Sequence, residues 1–205
     1  INLIDKNLKF KLICEMLEKK KYILAVSRFI KHKGLHYLIE AFKNLEDRGK
    51  TRGMKLVLVG NGFYTDNYVK YLQKISYKRK NIVFTGAQSG DVLSQLFSHA
   101  YIFVQPSESE GMSIALLEAM RYGQAILASD IPENLEALKG CGKTFINKNV
   151  RDLENKLEAV IKNENDIQSL GAEAKKIAEA NYDWEIITEK ILALYQDVIY
   201  SKRKK

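Results

Sequence analysis

The stretch YIFVQPSESEGMSIALLEAMRYGQAILAS, residues 101–129, decides the fold. It opens with an apolar run over Tyr101–Gln105, crosses a loop of Ser and Glu, and continues with helical spacing over Ala115–Tyr122. A second apolar run, Ala125–Ala128, closes it. Short runs that are apolar at nearly every position suit strands covered on both faces. A helix between two of them is the crossover that parallel strands require. The stretch is one βαβ unit.

The same alternation extends back to Tyr22. Strands are predicted at Tyr22–Val26, Lys55–Val59 and Ile82–Thr85, with a weaker sixth at Lys143–Ile146. Between them, Leu35, Leu38, Ile39, Phe42 and Leu45 fall on one side of a helix. Val69, Leu72, Gln73 and Ser76 follow a similar stripe, and Val92–Phe97 supplies another crossover. The fold class is therefore α/β, a Rossmann-like, doubly wound parallel sheet of about six strands followed by C-terminal helices. After residue 146 the patterns are helical only: Val150–Asn163, Ile167–Ala180 and Trp184–Tyr200. Asp183 is placed to cap the last of these, its carboxylate accepting from amides at the helix start. That helix carries a broad stripe of Trp184, Ile187, Ile191, Leu194, Tyr195 and Val198, which packs on this domain or reaches toward something outside the chain. Three segments result: a lead-in over 1–20 with a helix at Leu8–Leu17, the Rossmann-like domain over 21–181, and a helix with a basic tail over 182–205.

Composition excludes several classes. With 46% hydrophobic residues, 12 glycines and two cysteines in 205 residues, the chain is neither disordered, collagenous nor a disulfide scaffold. No apolar run approaches the ~20 residues of a membrane-spanning helix. Net charge is +8, and the last four residues, from Lys202 to Lys205, are all basic. Such clusters are read as solvated surface, with a peripheral contact to an anionic membrane surface left open. No recognised nucleic-acid module accompanies them, so nucleic acid is not an expected partner. Cys14 and Cys141 lack metal-ligand spacing and read as reduced thiols of a cytoplasmic protein.

Open α/β sheets bind ligands beyond the carboxyl ends of their strands. After the first strand stands SRFIKHKG, residues 27–34, where Arg28 and Lys33 form a solvated basic loop or a grip on one diphosphate. After the fourth strand, Gly111 permits close backbone approach, and the amides of Met112, Ser113 and Ile114 open a helix expected near Met112 or Ser113. Those amides and the helix dipole suit an anion. Glu110 is an ordinary acid ahead of a helix, or an acceptor for vicinal hydroxyls; Glu118 is a carboxylate on a solvent face, or a second such acceptor.

SRFIKHKG, LVLVGNG, NIVFTGAQ and SESEGMSIALLEAMRYGQAILASD together resemble the group 1 (family 4) retaining glycosyltransferases of the GT-B fold. The resemblance runs over roughly residues 20–200 and is to their C-terminal, nucleotide-sugar-binding domain. It implies transfer of a sugar from a UDP-, GDP- or ADP-linked donor to a glycan or lipid-linked acceptor, with retention at the anomeric carbon. The family's pair of glutamates with seven residues between them is matched by Glu110 and Glu118, which implies donor-sugar hydroxyls for Glu110 and ribose hydroxyls for Glu118. Arg28 and Lys33 match the diphosphate grip, and Gly111, Met112, Ser113 and Ile114 the turn against phosphates and sugar. Ala87 and Gln88 fall where the base is cradled. The catalytic group implied is Arg28, Lys33 and Glu110. Ser27 stands where the family has Gly, and Pro132-Glu133 where it has a Gly pair, while Glu136 matches a frequent acidic position. Trp184 and Tyr195 match the family's closing helix. The resemblance also implies an N-terminal acceptor-binding domain beyond this chain.

No Asp-X-Asp motif is present to hold a divalent cation under a diphosphate, so neither metal nor cofactor is expected beyond the nucleotide sugar itself. An NAD-type oxidoreductase would need its glycine fingerprint after the first strand, where SRFIKHKG stands; GNGFYT at 60–65 follows the second strand and has Asn81, not an acid, about 20 residues on. The alternative function is a non-catalytic nucleotide-binding half-domain that needs a partner subunit.

Overall fold

The computed structural model describes residues 20–62 and 64–203. The predicted lead-in helix Leu8–Leu17 and Cys14 lie outside the described residues. Six strands form one sheet: β1 Tyr22–Val26, β2 Lys55–Val59, β3 Ile82–Gly86, β4 Ile102–Gln105, β5 Ile126–Ser129 and β6 Lys143–Phe145. Every pairing is parallel, in the order β3-β2-β1-β4-β5-β6. The chain winds outward from β1 in one direction, returns to the centre at β4, and winds outward in the other. The loops after β1 and β4 therefore diverge from neighbouring strands, which opens a crevice at their carboxyl ends.

Eight α-helices are described: α1 Leu35–Asp47, α2 Asp66–Ile75, α3 Gly90–His99, α4 Ile114–Arg121, α5 Pro132–Leu138, α6 Val150–Lys162, α7 Glu164–Asn181 and α8 Trp184–Arg203. Successive strand side chains point to opposite faces, and the two faces fill two separate cores. Ile23 and Ala25 of β1 join Leu38, Ile39 and Phe42 of α1 and Leu153, Leu157 and Ile161 of α6. Tyr22 and Leu24 point the other way, with Phe97 of α3, Leu116, Ala119 and Met120 of α4, and Ala174 and Ala178 of α7. Each large side chain buried in this way contributes roughly 1.5–3 kcal/mol. Truncating Phe42, which is fully buried, would cost about 3–5 kcal/mol.

The structure differs from the sequence expectation in detail. Helix α4 begins at Ile114, slightly later than expected, because the Ser113 hydroxyl accepts the Leu116 amide at 3.3 Å as the N-cap. Helix α5 was not anticipated: Pro132 starts it, but at seven residues it is too short to show a stripe. Gln73 faces solvent, whereas Leu72 and Ser76 are buried as expected. Asp183 caps α8 as expected, accepting the Glu185 amide at 2.8 Å, and pairs with Arg121 of α4 at 3.2 Å. Beyond that anchor much of the α8 stripe faces outward: Trp184 is 78% and Tyr195 60% exposed, while Ile187 is half-buried. Among the described residues no helix is long and apolar enough to cross a membrane.

Candidate functional site

The crevice between β1 and β4 is built by two loops that interlock. Residues Lys31–Lys33 form a single 3₁₀ turn, which ends on Gly34 at φ +67° before α1 begins. A β-carbon on Gly34 would lie 1.8 Å from the carbonyl oxygen of Pro106, so only glycine lets the two loops approach this closely. The Glu108 amide donates to the His32 carbonyl at 2.7 Å, which fixes their relative register.

This register brings Lys33 and Glu110 together. Lys33 Nζ lies 2.5 Å from Glu110 Oε2, with the side chains 14% and 4% exposed. The other carboxylate oxygen, Oε1, accepts from Gln105 Nε2 at 2.6 Å and from Ser107 Oγ at 2.5 Å. A buried carboxylate is tolerated only when its lone pairs are satisfied in this manner. Ser107 is itself held from behind, its carbonyl accepting the Ser129 hydroxyl, to which Asn134 of α5 donates. Gln105 and Ser107 are site residues that the sequence reading did not single out; the one available signal was the three-residue spacing of Ser107 and Glu110.

Gly111, Met112 and Ile114 lie exposed beside this pair, and Ser113 is buried as the cap. Among the described residues, the amides of Met112, Ser113 and Ile114 have no intrachain acceptor. Ile114 and Glu118 are four residues apart on α4 and thus share a face. Ile114 is 71% and Met112 59% exposed, so two large apolar side chains flank an unsatisfied helix start. Glu118 is exposed and makes no ion pair among the described residues; the partial burial it does have pushes its carboxyl above the usual value.

Arg28 is exposed at the end of β1 and likewise makes no ion pair among the described residues. Its loop is joined to the loop after β3 through Asn61: the Phe29 amide donates to the Asn61 carbonyl at 2.8 Å, and the Ala87 amide to Asn61 Oδ1 at 3.0 Å. Ala87 is exposed, while the Gln88 side chain turns back to the Thr85 carbonyl at 2.6 Å. Glu136 is exposed on α5. One carboxylate that the sequence did not single out, Glu108, accepts from Tyr37 and pairs with Lys148 at 3.0 Å. Burial works against its charge, but the hydrogen bonds from Lys148 and Tyr37 prevail and hold its carboxyl below the usual value. Burial, reinforced by Glu108, pushes the Tyr37 phenol up to about 12.

The arrangement is thus a cationic and amide-lined crevice with one carboxylate buried inside and another at its rim. It can hold a polyanion that also carries hydroxyl groups.

The chain is similar to known proteins over most of its length. The chain is 28% identical over 197 residues to an uncharacterized glycosyltransferase of Methanocaldococcus jannaschii, covering 94% of this chain and 49% of that protein. It is 30% identical over 185 residues to the N,N'-diacetylbacillosaminyl-diphospho-undecaprenol alpha-1,3-N-acetylgalactosaminyltransferase of Campylobacter jejuni, covering 89% of this chain and 46% of that one. The Anabaena protein HepE, solved with UDP and glucose, has the same fold: TM-score 0.81, 20% identity, 94% of this chain and 53% of that one. The chain spans about half the length of these relatives. The family model for glycosyl transferases group 1 matches residues 13–177. The chain belongs to the group 1 glycosyltransferases.

Proposed function

We propose that this chain is the donor-binding, C-terminal half of a retaining glycosyltransferase that moves a sugar from a nucleoside-diphosphate donor to a glycan or lipid-linked acceptor. The observation that carries the reading is the meeting of Lys33 and Glu110 at the switch point, beside the unsatisfied amides at the start of α4. The amides and the two cations, Arg28 and Lys33, suit a diphosphate. Glu110 suits the hydroxyls of the sugar attached to it, Glu118 those of the ribose, and Ala87 and Gln88 lie where a base would rest. Met112 and Ile114 offer apolar surface to the rings.

When the bond between the anomeric carbon and the phosphate oxygen breaks, negative charge collects on the β-phosphate while the sugar becomes oxocarbenium-like. Donors that meet that charge lower the barrier, each by roughly 2.7–4 kcal/mol when removed singly in comparable sites. Arg28, Lys33 and the α4 amides are those donors, and the two cations take the place of a metal. The acceptor side belongs to an N-terminal domain, toward which the exposed stripe of α8 reaches. The Campylobacter relative is named for a lipid-diphosphate-linked acceptor, which supports that acceptor class here.

A thermal-shift panel of UDP, GDP and ADP with their hexose conjugates tests the reading. A ligand at a hundred times its Kd adds about 2.7 kcal/mol to apparent stability. One nucleotide series is expected to raise the melting temperature; a chain that no member stabilises is not a donor-binding domain.

A further inference from the structure

We infer that Glu110 makes this site discriminate against free nucleoside diphosphate in favour of the intact sugar nucleotide, by competing for Lys33. The inference rests on the donor-binding reading above and specifies how that site selects its ligand.

Without ligand, Lys33 is not available to a phosphate. Its ammonium is engaged by Oε2 of Glu110 at 2.5 Å, and both side chains are largely withdrawn from water. The two partners differ in freedom. Glu110 is anchored through Oε1 by Gln105 and Ser107, themselves 3% and 0% exposed, so its carboxylate is held in place. Lys33 is a point charge on a flexible four-carbon stem and can swing. A diphosphate arriving at the crevice must therefore draw Lys33 away, which leaves Oε2 without its cation in a buried setting. Stranding a buried charge in this way is costly.

What arrives next to Oε2 then decides the outcome. A sugar hydroxyl donates a proton to it and replaces the lost contact. A terminal phosphate of the free nucleotide brings only acceptor oxygens and negative charge, which repel the carboxylate. Lys33 thus exchanges partners without net loss only when the ligand carries a hydroxyl-bearing group beyond its diphosphate. The same asymmetry expels the nucleoside diphosphate once the sugar has left.

The test measures affinities of the wild-type chain and of Glu110→Gln for UDP, GDP, ADP, their hexose conjugates and inorganic pyrophosphate, by titration calorimetry. The neutral amide keeps an oxygen for Gln105 and Ser107 but releases Lys33. Glu110→Gln is expected to bind the cognate nucleoside diphosphate roughly tenfold more tightly than wild type, the scale of one charge-assisted hydrogen bond. It is also expected to lose the wild-type preference for the sugar conjugate. In the double variant Lys33→Ala/Glu110→Gln the gain disappears. Unchanged or weaker nucleoside-diphosphate binding by a folded Glu110→Gln overturns the inference. Should that variant not fold, the wild type alone decides, since equal or tighter binding of the free nucleotide than of every conjugate also overturns it. A wild type that binds none of these ligands overturns the donor-site reading itself.

Discussion

The phenolic hydroxyl of Tyr37 donates to Oε1 of Glu108 across 2.9 Å and so ties the first turn of α1 to the loop that carries Glu110. Lys148, from the loop after β6, holds the other oxygen of the same carboxylate at 3.0 Å. One side chain thus ties a helix start and two loops together around the crevice.

Replacing Glu108 with Ala is expected to destabilise the fold by about 1.5–3 kcal/mol, the range for hydrogen bonds to a charged group. Its carboxyl is held below the usual 4.5 in the folded chain, so the charged form favours folding. The contribution is complete above the unfolded value and is lost as pH falls through the lower folded value. Urea unfolding should show a wide gap between wild type and Glu108→Ala at pH 7 that narrows below pH about 4.5. A gap independent of pH would remove the charge from the explanation.

Gly34→Ala is expected to be severe. The residue sits at φ +67°, and its new methyl would fall 1.8 Å from the Pro106 carbonyl oxygen. Left-handed strain costs roughly 1–2 kcal/mol, and overpacking costs typically 1–3 kcal/mol more. Because relief requires the two loops to part, the Lys33–Glu110 contact should be lost as well. Calorimetry and nucleotide titration of the same sample would register both effects, and a variant of wild-type stability would contradict the packing described.

Away from the crevice, α1 and α6 are joined at a buried carboxylate. Glu154, 1% exposed, receives Arg48, Arg151 at 3.0 Å and Asn44 Nδ2 at 3.1 Å. Arg48 also reaches Glu158, while the Arg151 side chain is 71% exposed. Arg48→Ala should therefore destabilise clearly more than Arg151→Ala, whose contribution falls in the 0–1 kcal/mol range of surface pairs. Chemical denaturation of the two variants side by side gives the comparison; equal losses would refute it.

The sheet was legible because its strands are apolar at almost every position, a pattern that depends on neighbours along the chain alone. The placement of Lys33, Glu110 and the α4 turn at one edge was legible for a similar reason, since each lies in the segment that follows a strand and topology sends such segments to that edge. What escaped was set by contacts distant in sequence. Nothing local to Tyr37, Glu108 or Lys148 reveals that they meet, and Gln105 reads as the last residue of a strand rather than as a donor to Glu110. The short α5 escaped because seven residues cannot display a helical period. The course of α8 stayed open between packing on the domain and reaching outward, because an amphipathic stripe marks a face to be covered without saying by what.

Arg28→Ala is expected to leave stability unchanged, since the side chain is exposed and makes no ion pair among the described residues. It should nonetheless weaken nucleoside-diphosphate binding at least about tenfold, because Arg can hold phosphate oxygens in pairs. Paired melting and calorimetric titration separate the two effects. A folded variant with wild-type affinity would take Arg28 out of the site.

Glu118 should show opposite effects on stability and on binding. Partial burial raises its carboxyl above the usual 4.5, so in the folded chain the charged form is the disfavoured one. A group of this kind subtracts from stability as pH rises through its folded value, and the deficit persists at neutral pH. Glu118→Gln removes the charge without changing shape and is therefore expected to raise the melting temperature slightly at pH 7. The same change leaves one acceptor oxygen where two served vicinal hydroxyls, so preference for a nucleoside diphosphate over inorganic pyrophosphate should fall. In the wild type that preference should decline as pH drops through a value above 4.5, where the carboxylate takes up its proton. Titrations of both ligands between pH 4.5 and 7 measure it. A variant that is less stable, yet still discriminates between the two ligands, would show that the Glu118 carboxylate serves the helix and not the nucleotide.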